Sequence, residues 1–147
     1  MRAVIQRVTH SAVSVDNKVI GEIGKGLNVL LGVGEGDTDK EMEYIAKKIV
    51  DMRVFEDENG KMNRNLADAG GALLIVSQFT LFADVRSRRP GFTEAARPET
   101  AIPLYETVIR LCRERGFHVE TGVFGAEMQV FSQNDGPFTV LLDTDTL

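Results

Sequence analysis

Gly71-Ala72-Leu73-Leu74-Ile75-Val76-Ser77-Gln78-Phe79-Thr80-Leu81-Phe82-Ala83-Asp84 is the stretch whose reading decides the fold. It opens as an unbroken apolar run without helical spacing, the pattern of a strand buried on both faces. Three hydrogen-bonding side chains then arrive close together: Ser77, Gln78 and Thr80. In a strand that runs on, Gln78 and Thr80 project to one side, and Ser77 and Phe79 to the other. A buried polar group without a partner costs roughly 1–3 kcal/mol, so these three need protein groups, water or a substrate to bond. The alternative is a strand end surfacing near a loop.

Upstream, Arg2 to His10, Ala12 to Val15 and Lys18 to Ile23 read as short strands, the last two joined by a hairpin turn at Asp16-Asn17. Gly26 to Val33 is another buried strand. Its sequel Gly34-Glu35-Gly36 lacks the further glycine of a dinucleotide fingerprint, and no Gly-Lys-Ser/Thr follows. Thr38 and Glu41 make a capping box, and Met42, Ile45, Ala46, Ile49 and Val50 form the apolar face of the helix it starts. Met52 to Phe55 reads as a short strand with Asp57-Glu58-Asn59-Gly60 as its turn, too short for a calcium loop. Lys61 to Gly70 looks irregular.

Downstream, Arg86-Ser87-Arg88-Arg89 is the only concentrated positive charge. It is either a solvated loop or, beside an active site, a bidentate phosphate contact. A second helix is expected from Thr100, as cap, to Arg115, with Gly116 as its stop and Pro103 in the first turn. Cys112 falls on its apolar face with Ile102, Tyr105, Val108 and Ile109, as a small core residue. Phe117 to Thr121, Ala126 to Gln133 and Phe138 to Leu142 are the closing strands. The Asn134-Asp135-Gly136-Pro137 between the last two reads as a hairpin turn, except that Pro137 cannot donate to a ladder and a Gly-Pro bond permits a cis peptide.

The 147 residues, 43% hydrophobic and 27% charged, suit one globular domain over residues 1–147. The formal net charge of −5 gives no overall basic field to hold a nucleic-acid duplex, so any nucleic acid is met locally. One cysteine excludes an internal disulfide framework. No run approaches the ~20 apolar residues of a membrane span, and Met1-Arg2-Ala3-Val4 lacks a signal-peptide core, so a soluble, cytoplasmic chain is expected. His10 and His118 stand without carboxylates or cysteines at ligand spacing, so neither a zinc motif nor a Ser-His-Asp set is legible. An enzyme built from these residues works without a metal or other cofactor. Its chemistry is then confined to activated bonds such as esters, where oxyanion stabilisation supplies most of the help.

Ser77-Gln78-Phe79-Thr80-Leu81 and Asn134-Asp135-Gly136-Pro137-Phe138-Thr139 together resemble the two signature motifs of the D-aminoacyl-tRNA deacylases. Met1 to Val8, Arg89-Pro90-Gly91-Phe92 and Ala126-Glu127-Met128-Gln129-Val130 match as well, so the resemblance covers essentially the whole chain. It implies hydrolysis of the ester between a D-amino acid, or glycine, and the 3′-terminal adenosine of tRNA. It also implies a homodimer with the site at the subunit interface. Ser77 to Thr80 would line one wall, and a cis Gly136-Pro137 would reach across from the partner subunit. The carbonyl oxygens of that Gly-Pro would take the α-amino group and exclude an L side chain. Asn134, Phe138 and Thr139 belong to the same substrate-binding motif, and Arg7 matches an arginine that holds its loop. For the chemical step, the ribose 2′-hydroxyl is expected to assist attack on the ester. Backbone N–H groups near Gln78 and Phe79 would hold the oxyanion while Thr80 positions the substrate, since no base adjoins Thr80 to make it a nucleophile.

Two further readings remain. An editing module like the N-terminal domains of some threonyl-tRNA synthetases fits poorly with the Gly-Pro motif. A non-catalytic nucleic-acid-binding or dimerisation protein fits poorly with the negative charge. The expected fold is α/β, with mixed, largely antiparallel strands and two main helices packed on one side, giving β/β/α layers.

Overall fold

The computed structural model describes all 147 residues and has a mixed α/β architecture. Strand β1 (Arg2–Val15) is its spine. Along one edge β1 pairs antiparallel with β8 (Gln129–Asp143) over nearly its full length. Along the other it pairs with β3 (Gly26–Gly32) at its start and with β2 (Lys18–Ile23) at its end, both antiparallel. From β3 the sheet continues in parallel to β6 (Ala72–Ser77) and β7 (Val119–Thr121). The two strands expected at 2–10 and 12–15 are thus one. Ser11, which looked like a break, is fully buried and donates to the Phe131 carbonyl at 2.7 Å. The Asp16-Asn17 turn is as expected, with both residues at positive φ (50° and 66°), the requirement of the tight hairpin turn that suits twisted strands.

Helices α1 (Asp39–Asp51) and α3 (Pro98–Glu114) cover one face of the sheet. Met42, Ile45, Ala46, Ile49 and Val50 of α1 and Ala101, Leu104, Tyr105, Val108, Ile109 and Cys112 of α3 join Ala3, Ile5, Leu27, Val29, Leu31, Leu73 and Ile75 in one core. Thr38 and Glu41 form the reciprocal capping box. On the opposite face β2 curls over the far strands. A Cβ on Gly21 would lie 3.0 Å from the Thr121 carbonyl oxygen, and Val8, Val13, Ile23, Leu74 and Val76 fill the second, smaller core. At Gly26 the backbone of β6 leaves no room for a side chain, since an added Cβ would sit 1.9 Å from the Ala72 carbonyl oxygen.

Several expected boundaries are corrected. Helix α3 begins at Pro98, capped by Arg97 rather than Thr100. Pro98 takes the favoured first position, and Pro103 lies inside the helix on its solvent face, where the carbonyl that loses its partner can reach water. The short strand near 52–55 is β4 (Phe55–Glu56), paired with β5 (Met62–Arg64). The segment expected to be irregular contains β5 and a turn of helix α2 (Leu66–Ala69), capped reciprocally by Asn65 and Asp68 and closed by Gly70 at φ 65°. Most consequentially, no hairpin separates the last two expected strands. Both halves of β8 pair with β1, and β8 advances five residues from Asn134 to Thr139 while β1 moves two, from Gln6 to Val8. Asn134 to Phe138 is therefore a large bulge in one strand.

Candidate active site

The β6 strand ends at Ser77, and Phe79–Phe82 is a turn of 3₁₀ helix. The alternation expected for a continuing strand does not hold beyond Ser77. Gln78 donates its N–H to the Leu31 carbonyl at 2.8 Å, the last bond to β3. The chain then turns, with Leu81 donating to the Gln78 carbonyl at 3.3 Å and Ala83 to that of Thr80 at 3.1 Å. Of the two amides expected to face an oxyanion, Gln78's is therefore spent on the sheet. The amides of Phe79 and Thr80 open the 3₁₀ turn, where no earlier helical carbonyl accepts them. Gln78 donates from Nε2 to the Thr80 hydroxyl oxygen. Phe79 is 53% exposed, and its ring meets that of Phe92 edge-on at 5.1 Å.

A half-buried arginine and a buried tyrosine fix the turn and the strand that leads into it. Arg2 donates from Nη1 to the Leu81 carbonyl at 2.8 Å and from Nε to Asp143 at 3.0 Å, with its guanidinium 4.5 Å from the centre of the Phe82 ring. The Tyr105 hydroxyl donates to the Ile75 carbonyl at 2.9 Å. Burial pushes its pKa up to about 12, so it remains a donor throughout the working pH range. Neither residue was signalled by spacing, because each acts through main-chain carbonyls that a sequence does not display.

The second motif is built around Arg7, only 9% exposed. Its Nε donates to the Asp135 carbonyl at 3.0 Å and its Nη1 to the Val54 carbonyl at 2.8 Å, while its guanidinium stacks 4.9 Å from the Phe138 ring centre. Asn134 braces the bulge from inside. Its Oδ1 accepts the Phe138 N–H at 2.5 Å, and its Nδ2 donates to the Phe138 carbonyl at 3.2 Å and the Thr139 hydroxyl at 3.1 Å. The Gly136-Pro137 peptide is cis, and Gly136 has φ 142°. A Cβ there would stand a tight 3.1 Å from the Phe138 nitrogen and 3.2 Å from Arg7 Nη2, so a side chain would be strained by both the backbone conformation and crowding.

The structure gathers the expected residues into two groups: Ser77, Gln78, Phe79 and Thr80 in one, and Arg7, Asn134, Gly136, Pro137, Phe138 and Thr139 in the other. It does not bring the groups together. Ser77 is level with Leu31 and Ala3, the bulge is level with Arg7, and the path from β8 to β6 crosses β1 and β3. Four residues at about 3.3 Å along the strands and three strand spacings of about 4.8 Å across them put the motifs on the order of 20 Å apart.

The remaining polar candidates stand elsewhere. His10, on β1, pairs with Glu22 at 2.6 Å, and His118, just before β7, pairs with Glu120 at 3.2 Å. The buried Cys112 thiol is pushed up to about 11 by burial and stays protonated in the core. Asp57 uses its carboxylate on its own turn, accepting from Asn59, Lys61 and Asn63.

Residues 4–143 match the family model described as D-Tyr-tRNA(Tyr) deacylase. The chain belongs to the D-aminoacyl-tRNA deacylase family. Among its relatives, the D-aminoacyl-tRNA deacylase of Thermus aquaticus is 56% identical over 98% of this chain and 95% of its own length. That of Fervidobacterium nodosum is 55% identical over 98% and 97%. The solved structure of the c-Myc DNA Unwinding Element Binding Protein superposes with a TM-score of 0.93 at 42% identity, covering 98% of this chain and 99% of that one. A structure described as a "probable eukaryotic D-amino acid tRNA deacylase" superposes at 0.77 with 18% identity, over 96% and 97%, and so shares the fold. This deacylase is an enzyme with D-aminoacyl-tRNA deacylase activity. No helix in it is long and apolar enough to cross a membrane.

Proposed function

We propose that this deacylase works as a homodimer of single-domain chains spanning 1–147, with each active site shared between protomers. It would cleave the ester joining a D-amino acid, or glycine, to the 3′-terminal adenosine of tRNA in the cytoplasm. The observation that carries the reading is the distance between two exposed motifs in one chain. Each would form one wall of the site, and in the proposed dimer a second copy would supply the other. The surface supports this assembly. Strand β8 pairs only with β1 and leaves a free edge of up to fifteen residues, an arrangement that invites cover. It also exposes Val130, Phe131 and Leu141, the last at 74%.

In the shared site, Gly136 and Pro137 of one protomer present their carbonyl oxygens to the substrate α-ammonium group. The backbone around them leaves no volume for an L side chain, so selectivity acts by exclusion, and a misplaced substrate leaves polar groups unpaired. Hydrogen and glycine's second hydrogen fit that space, which is why glycyl esters pass. The ester carbonyl of the substrate lies against the 3₁₀ turn of the other protomer, where the Phe79 N–H stabilises the developing oxyanion. The Thr80 hydroxyl, with a lone pair engaged by Gln78, donates to the substrate rather than attacking it. Water is the nucleophile, the ribose 2′-hydroxyl relays its proton, and the ribose 3′-oxygen leaves protonated.

The test is deacylation of matched D-Tyr-tRNA and L-Tyr-tRNA with a chelator present. Loss of the D ester alone is expected, and cleavage of both would sink the backbone clamp. A DNA-binding role, which the name of one structural relative brings to mind, is disfavoured by the −5 net charge. A salt titration of duplex binding separates the two readings.

A further inference from the structure

Resting on the deacylase reading above, we propose that Arg88 and Arg89 form a phosphate-gripping prong beside the site, which holds the single-stranded acceptor end of the tRNA. The prong is a loop closed at its neck. Asp84 donates its N–H to the Gly91 carbonyl at 2.8 Å, and Gly91 returns the bond to Asp84 at 2.9 Å. Inside the neck, Arg86 folds back on Asp84, with Nη2 2.6 Å and Nε 3.0 Å from the carboxylate. These bonds hold the Asp84 carboxyl below the usual carboxylate range. The Arg86 charge is thereby cancelled where it stands, and this pair serves as a brace. At the tip, the Ser87 hydroxyl donates to the Arg89 carbonyl at 2.8 Å and sets the turn.

Arg88 and Arg89 are left exposed at that tip, and neither takes part in any ion pair of the molecule. Every other arginine except Arg53 is paired with a carboxylate or bonded to a main-chain carbonyl. Two adjacent free guanidinium groups in a chain of net charge −5 are a local anion site against an unfavourable global field. Their planar forks match phosphate oxygens. The loop is also docked onto the site. Phe92, one residue past the neck, packs on Phe79, whose amide opens the 3₁₀ turn. A polynucleotide whose 3′ end lies at that turn would pass the prong with its last phosphates.

Hydrolysis of two D-tyrosyl esters, on tRNA and on adenosine alone, tests this. The adenosine ester carries the scissile bond but no phosphate. In the Arg88→Ala/Arg89→Ala variant, KM for the tRNA ester should rise about tenfold at low salt, and the log–log salt slope should fall by about 0.7 for each arginine. Cleavage of the adenosine ester should be unchanged. A Lys40→Ala/Lys47→Ala variant removes the same charge from the exposed face of α1 and should match wild type on both. Equal losses on both esters, no loss on tRNA, or the same loss from the lysine variant would each overturn the prong while leaving the deacylase reading intact. Wild-type protein inert on both esters would overturn that reading and the prong with it.

Discussion

At the scale of single residues, the proposed mechanism separates the role of the Thr80 hydroxyl from that of the Phe79 amide. The Thr80 hydroxyl has Gln78 as its neighbour and no base, so Thr80→Ala should keep single-turnover cleavage of D-Tyr-tRNA within about tenfold of wild type, far short of the loss that follows removal of a nucleophile. Phe79→Pro removes one N–H at the first position of the 3₁₀ turn, where proline is tolerated. It should slow the same step by about 10²–10³-fold, the usual cost of one oxyanion donor. A reversed order of the two effects would restore Thr80 as the chemical group. Away from the site, Asn28 is 1% exposed and bonds Gln6 through Nδ2 at 3.3 Å, yet its Oδ1 has no partner. Gln6 keeps a second donor in the Ser132 hydroxyl. Asn28→Leu should therefore raise stability by about 1 kcal/mol, read as a higher urea midpoint at unchanged slope. At this scale the sequence displayed side-chain identities well and their main-chain partners not at all. Ser77 to Thr80 and Gly136-Pro137 stood out, whereas the use of the Gln78 amide by Leu31 and the Val54 carbonyl under Arg7 depend on strands remote in sequence.

At the scale of elements, the caps carry the clearest titration. Glu41 accepts from the Thr38 N–H at 2.8 Å and the Thr38 hydroxyl at 2.7 Å, and these bonds lower its pKa from 4.5 to about 2. The folded state thus binds this proton less readily than the unfolded chain. Its stabilising effect is complete above about pH 4.5 and is lost as the pH falls towards about 2. Glu41→Gln should lower the thermal midpoint at pH 6 and converge on wild type near pH 2. A constant gap across that window would show that the box does not act through ionisation. The Thr38/Glu41 box was legible because it precedes a long amphipathic run. The equivalent Asn65/Asp68 box was missed because it starts a single turn of helix with no periodic face to announce it. Helix α3 misled by three residues for a related reason: Thr100 looked like a cap, but the cap position is Arg97, Pro98 already satisfies the first helical position and Pro103 faces water.

At the scale of the whole molecule, the separation of the motifs predicts complementation. In the proposed dimer Gly136→Ala would disrupt one half-site and Phe79→Pro the other, so each variant alone should be poor. Co-expressed with different tags, half of the proposed dimers would be hybrids with one intact site of two, and about a quarter of wild-type activity should return. Recovery no greater than the sum of the parents would mean that each site is built within one chain. The layered fold was legible from strand and helix patterning, but the topology of β8 was not. Asn-Asp-Gly is strong hairpin chemistry, and only pairing with β1 on both flanks shows that the chain bulges instead of reversing. That arrangement has an evolutionary consequence. The segment that presents Gly136-Pro137 is anchored in register at both ends, from Gln6 opposite Thr139 to Val8 opposite Asn134. Adding or deleting one residue would shift the last part of β8 by one, carrying half-buried Leu142 outward and exposed Leu141 inward. A library varying both composition and length there should return substitutions at the parental length and almost no insertions or deletions. Descendants of this enzyme can repaint the segment around Gly136-Pro137, but they inherit its length.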